Sequence, residues 1–297
     1  MRSLRWFLLL TGLTLLAAPS LAADEGARIL SLGLDGDQGA PRVDMVARTA
    51  SGLTLELAIP GVETREKELG GRLFQSLELP GGGHVGTAGQ PALPTVTRLV
   101  ALPAGVGASV RMTASDEVDL GTLKLAPEYG IRPADQAGPV NFDQALYAAA
   151  PASKPGVTVG EPALMHGVRV VPVTFSPMAY DPATGKAEMA RRMTVEVEFS
   201  GRDDRNDMTA LPTAIPESFA TILAEEVIGL DLAGVETGPG TYIMVCPNNS
   251  TVLNIVEDLA DWRRRQGYNV MVVSTATTGT SNSAIKSWLT TQYNSVD

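Results

Sequence analysis

The sequence predicts a mixed fold: an all-β, sandwich-like amino-terminal region, then the start of a parallel α/β sheet in β-α-β-α order. Three observations predict it. Apolar and polar residues alternate along Leu53–Ile59 and Met193–Phe199, the period of strands with one buried face. Glycine- and proline-rich turns punctuate the chain up to Gly201. After Gly240, short apolar runs instead alternate with residues at helical spacing.

The first residues read as an export signal. Arg2 and Arg5 precede the apolar run Trp6 to Ala18, Pro19 breaks it, and Ser20-Leu21-Ala22 supplies small residues for cleavage. Cleavage is expected after Ala22, with Ala23 as the alternative, so residues 1–23 form a removable segment. The run is shorter than the about 20 apolar residues of a spanning helix. No later segment is longer, so no membrane span is expected after signal removal. The expected location is the periplasm, the cell surface or the medium. The net charge of −10 argues against a nucleic-acid partner. A single cysteine, Cys246, leaves no intrachain disulfide, so stability must come from packing or bound ions.

Residues 24–201 form the β region. Leu53, Leu55, Leu57 and Ile59 mark one strand; Met193, Val195, Val197 and Phe199 mark another. Val168–Phe175 is a third, interrupted by Pro172, which moves it towards a sheet edge or a bulge. Tyr180-Asp-Pro-Ala-Thr-Gly-Lys186 is a turn in which Gly185 supplies positive φ, so Val168 to Phe199 reads as a β-hairpin. Pro80 to Gly89 is a glycine-rich loop without phosphate-binding spacing, and Ala148 to Pro155 is an exposed connector.

The charged run Gly201 to Asp207 marks a domain boundary, and residues 202–239 read as a linker carrying a short helix within Pro216–Leu230. Residues 240–297 hold the α/β fragment. Thr241–Cys246 and Tyr268–Ser274 read as strands buried on both faces. Between them Val252, Ile255, Val256, Leu259 and Trp262 recur at helical spacing, and Arg263-Arg264-Arg265 complements the helix dipole. Thr280 or Ser281 caps a second helix with Ile285, Trp288 and Leu289 on one face. Two strands are too few for a complete layer, so the α/β domain is expected to continue past residue 297.

No residue carries an obvious site. Cys246 ends an apolar strand and reads as a buried hydrophobe. His84 and His166 are isolated and read as surface or turn residues, without zinc-ligand spacing. Asp203, Asp204 and Asp207 read as a solvated linker in preference to a calcium loop. Asn248 to Thr251 holds overlapping glycosylation sequons, which matter only in a host that uses them.

Tyr242-Ile-Met-Val-Cys-Pro247, Leu259-Ala-Asp-Trp-Arg-Arg-Arg-Gln-Gly-Tyr-Asn-Val270, Val273-Ser-Thr and Ala284-Ile-Lys286 resemble the start of the gingipain-type cysteine peptidase domain. Upstream, Gly89-Gln-Pro-Ala-Leu-Pro94, Leu102-Pro103, His166-Gly-Val-Arg-Val-Val171 and Pro177 to Gly185 resemble that family's propeptide. The resemblance implies a secreted zymogen. Its β-sandwich prodomain assists folding and covers the active site of a caspase-like α/β domain. It implies a catalytic His and Cys beyond the second strand, outside this sequence, so no catalytic, cofactor or metal residue is assigned. It leaves calcium open for the complete enzyme. The implied partners are the protein's own catalytic domain or a related peptidase, and protein substrates for the whole enzyme. In such a zymogen the junction must be cut, and Arg205 is the preferred processing site, with a plain linker arginine as the alternative. The rival reading is an exported, non-enzymatic β-sandwich that binds a protein, or a peptidase inhibitor acting in trans.

Overall fold

The computed structural model describes residues 27–34, 40–129, 142–207 and 214–295. The signal segment, with Ala22 and Ala23, lies outside them. The first strands are β1 (Arg28–Ser31), β2 (Arg42–Thr49), β3 (Gly52–Ala58), β4 (Gly61–Leu69), β5 (Arg72–Glu78) and β6 (Gly83–Val85). Then come β7 (Leu93–Ala101), β8 (Val106–Thr122), α1 (Gln144–Ala148), β9 (Gly156–Val159) and β10 (Ala163–Met165). The region closes with β11 (Val168–Ser176), β12 (Met178–Tyr180) and β13 (Lys186–Arg202). Next are β14 (Ala214–Pro216), α2 (Glu217–Glu226), β15 (Val227–Ile228) and β16 (Glu236–Gly238). The last elements are β17 (Thr241–Cys246), α3 (Ser250–Arg265), β18 (Asn269–Ser274), α4 (Thr275–Thr278) and α5 (Asn282–Ser295).

Two sheets face each other. In one, β13 pairs along one side with β8 and along the other with β12 and β3, and β2 follows β3. In the other, β11 lies between β7 and the end-to-end pair β9 and β10, while β6 and β15 flank β7. Alternation builds the core. Leu53, Leu55 and Leu57 of β3 and Met193, Val195 and Val197 of β13 pack against Val96, Val100, Val171, Val173 and Phe175. A third sheet, β1-β4-β5, contributes Val62 and Leu77 to the same core.

Three expectations for residues 24–201 need correcting. Pro172 does not put its strand at an edge: it pairs with Leu99 of β7 inside the sheet. Its nitrogen faces the gap between β9 and β10, where no ladder donor is required, and its carbonyl accepts from Gly160 N–H. Nor do Val168 and Phe199 belong to one hairpin. The chain leaves one sheet at Pro177 and enters the other, so the hairpin is β12–β13 alone. Asp181 closes its turn by accepting from Ala183 N and Thr184 Oγ1. Gly185 stands at φ +75, where a Cβ would meet the Leu123 carbonyl oxygen at 2.8 Å. The glycine-rich loop, finally, contains β6.

The stretch expected to be a linker is woven into the sandwich. β15 joins β7 in parallel, and Ala220, Leu223 and Val227 pack on the outward face of Val168 and Val170. Here β11 is covered on both faces. β14 and β16 form a small parallel pair.

From Thr241 a separate parallel pair follows, Thr241 opposite Asn269 through Cys246 opposite Ser274. Asn249 caps α3 by accepting from Thr251 N and Val252 N. Met244, Cys246 and Ala260 form the centre of this unit. The strands are only half-buried, not enclosed on both faces as expected; α3 and α4 pack on them. Ile255, Leu259 and Trp262 remain exposed on the other side of α3. Ser281 caps α5 by accepting from Ala284 N. The short helix α4 had no sequence signal.

Leu57 is fully buried between the sheets. Leu57→Ala is expected to lower unfolding free energy by about 2–5 kcal/mol in urea titrations. Gly185→Ala is expected to cost at least about 1 kcal/mol, through strain at positive φ and contact with Leu123.

Candidate functional site

The junction after β13 holds the most unusual group in the sandwich. The pleat puts Arg169 on the same face of β11 as Val171, Val173 and Phe175, so a cation occupies a core-facing position at the end of the sandwich. Its side chain is 2% exposed. A buried charge is tolerated only when its hydrogen bonds are made. Here Nη1 donates to Pro103 O at 2.9 Å and Val106 O at 2.7 Å, and Nη2 to Asp203 O at 2.7 Å. Nε donates to Arg205 O at 3.1 Å. The Asp203 carboxylate lies 3.6 Å away. One guanidinium thus ties β11 to the β7–β8 turn and to the chain leaving β13.

Neighbouring contacts reinforce the knot. Asp203 N donates to Gly105 O, and Gly105 N donates to the Asp207 carboxylate at 2.7 Å. Asn206, at φ +49, donates from Nδ2 to Pro162 O. Arg205 projects outwards, 57% exposed, and pairs with Asp203 and Glu161, both at 2.7 Å. The Arg205 side chain and backbone N–H, with the positive charges of Arg205 and Arg169, hold the Asp203 carboxyl down to about 2. Arg202 pairs with Asp204 in solvent. The three carboxylates Asp203, Asp204 and Asp207 are therefore committed to three different partners.

The other candidates are dispersed. Cys246 is buried at the end of β17. His84 lies on β6 with Nε2 3.0 Å from Leu77 O, and the His166 ring packs on Phe219. Among the described residues, no three His, Cys, Asp or Glu side chains gather as metal ligands. Arg263 folds over the rings of Tyr242, Trp262 and Tyr268, while Arg264 pairs with Glu257 and Asp261. Asn249 of the sequons is spent on the α3 cap.

Sequence reasoning missed Arg169 as an anchor. The available signal was one charge within the apolar run Val168–Val173. It also missed a buried tyrosine pair. Tyr147 OH donates to Leu125 O and lies 2.9 Å from Tyr180 OH; burial raises the Tyr147 phenol. Beside this pair an open groove of 590 Å³ runs past Phe74, Lys124 and Thr184.

Residues 36–211, more than half of the chain, match the family described as Propeptide_C25. The chain belongs to this propeptide family. Lys-gingipain of Porphyromonas gingivalis is 25% identical over 251 residues, covering 78% of this chain and 14% of the relative. Lys-gingipain HG66 of the same organism is 26% identical over the same coverage. The chain thus spans 14% of the length of the curated relatives it matches. Among solved structures, one on the zymogenic latency of gingipain K from Porphyromonas gingivalis aligns with TM-score 0.51 and 23% identity. It covers 59% of this chain and 99% of that one. A complex of Porphyromonas gingivalis RgpB pro- and mature domains aligns at 0.52 and 17%, covering 63% and 97%. At these identities the shared property is the fold, a C25 propeptide sandwich.

In this C25 propeptide, Arg169→Met leaves four part-buried carbonyls without that donor and is expected to cost about 3 kcal/mol in urea unfolding. The Asp203 pKa is depressed below the unfolded value of about 3.9. Its contribution is therefore complete above pH ~4 and is lost as pH falls towards about 2. Urea midpoints of wild type minus Asp203→Asn should stay constant from neutral pH to about pH 5 and shrink below pH ~4.

Proposed function

We propose that this chain is the amino-terminal part of a secreted gingipain-like cysteine endopeptidase zymogen. Residues 1–23 direct export, and the sandwich assists folding and inhibits the peptidase. The unit from Thr241 opens a caspase-like α/β catalytic domain. The catalytic His and Cys belong to a part of the enzyme outside this sequence, so the chain by itself does not hydrolyse peptides.

One observation carries the reading. A sandwich of the C25 propeptide family passes, in one chain, into a parallel β-α-β unit beginning at Thr241. The similarity to Lys-gingipain supports this, because it covers 78% of the chain, a longer stretch than the propeptide match of residues 36–211. Cys246 does not compete as nucleophile, since it is buried in the β17–α3 core. Within this reading the prodomain is released after Arg205.

The test is inhibition. Added to a mature gingipain catalytic domain, the purified chain is expected to block hydrolysis of a peptide substrate and to co-elute with the enzyme. The chain alone, with reductant, is expected to leave the peptide intact. Peptide cleavage by the chain alone, abolished by iodoacetamide, would sink the claim that the catalytic pair lies elsewhere. Absence of inhibition would remove the prodomain role.

A further inference from the structure

We propose that Arg169 is a latch that closes the Arg205–Asn206 bond to peptidases while the sandwich is folded. The inference rests on reading Arg205 as the processing site and adds how that site is controlled.

A peptidase that cuts after arginine needs three things from its substrate. It must take the arginine side chain into a pocket, place the scissile carbonyl oxygen among oxyanion donors, and hold the backbone extended. Each is occupied here. The Arg205 side chain is paired with Asp203 and Glu161. The Arg205 carbonyl oxygen, the one an oxyanion hole would hold, accepts from buried Arg169 Nε at 3.1 Å. Asn206 follows at φ +49, off any extended path, with its side chain tied to Pro162 O. Exposure of the Arg205 side chain therefore does not make its bond available.

Hydrolysis adds water across Arg205–Asn206, leaving a carboxylate on Arg205 and an amine on Asn206. Its rate follows the population in which the junction is open. Opening must withdraw Asp203 O and Arg205 O from Arg169, leaving Nε and Nη2 of a buried cation without these acceptors while Nη1 keeps Pro103 O and Val106 O. Since Arg169 belongs to β11, at the centre of its sheet, the latch holds as long as that end of the sandwich is formed. Cleavage is thereby made conditional on loosening of the prodomain.

The experiment uses the chain lacking residues 1–23, digested with trypsin at low enzyme ratio, with fragments identified by intact mass and amino-terminal sequencing. In wild type, fragments beginning at Asn206 should appear late. In Arg169→Met they should appear about tenfold sooner or more. Asp207→Ala removes only the Gly105 tether and should accelerate the same cut to a smaller degree. It decides the question if Arg169→Met fails to fold by circular dichroism. Equal rates at Arg205 in wild type and variants would overturn the latch. So would equal acceleration at every tryptic site, which marks general unfolding. A mature enzyme whose amino terminus is not Asn206, combined with accelerated cleavage in Arg169→Met, would remove the processing reading and leave the latch standing.

Discussion

The sandwich depends on two inward faces meeting without a cross-link: β3 and β13 on one side, β7 and β11 on the other. With one cysteine in the chain, close packing of Leu, Val, Met and Phe side chains supplies the cohesion. Such a core must also be closed at its ends, where strands run out and turns expose carbonyls. At one end Arg169 performs the closure. The face that carries Val171, Val173 and Phe175 reaches the rim with a cation, and the carbonyls of two turns converge on it. The same fork that satisfies the charge gathers the chain leaving β13.

That arrangement bears on what a propeptide has to do. It must be firm while it covers a peptidase and severable afterwards. A plain solvated linker would be severable at all times. A segment whose carbonyls are held by a core residue shares the stability of the core, so the proposed cut after Arg205 is tied to the folding of the sandwich. The segment after the junction adds to this coupling. β15 extends the sheet beside β7, and α2 covers the outward face of β11.

Much of the sandwich was legible because a strand with one buried face writes its period into the sequence. Leu53–Ile59 and Met193–Val197 are the clearest cases, and they lie where alternation put them. β8 was overlooked although it is as long as β13. Val106, Ala108, Val110, Met112, Val118 and Leu120 keep the period of two, but they are only half-buried at the sheet edge, and the glycines, serines and acidic residues among them dilute the apolar signal. The hairpin reading failed because alternation is the same whichever sheet a strand enters, and only the crossover at Pro177 separates β11 from β12. Arg169 carries no legible role in the sequence, since one charge in an apolar run has no partner visible along the chain.

By itself the sequence determined the local periods, the turn at Asp181–Gly185, a cap at Thr280 or Ser281, and the change from alternating to helical texture near Gly240. These follow from the chemistry of neighbouring residues. Tertiary structure alone decided which strands share a sheet, how the stretch between Arg202 and Gly238 packs back, and what holds the Arg205 carbonyl. Arg169 and Arg205 stand 36 positions apart, and their contact exists only because β11 and the end of β13 meet across the same end of the sandwich.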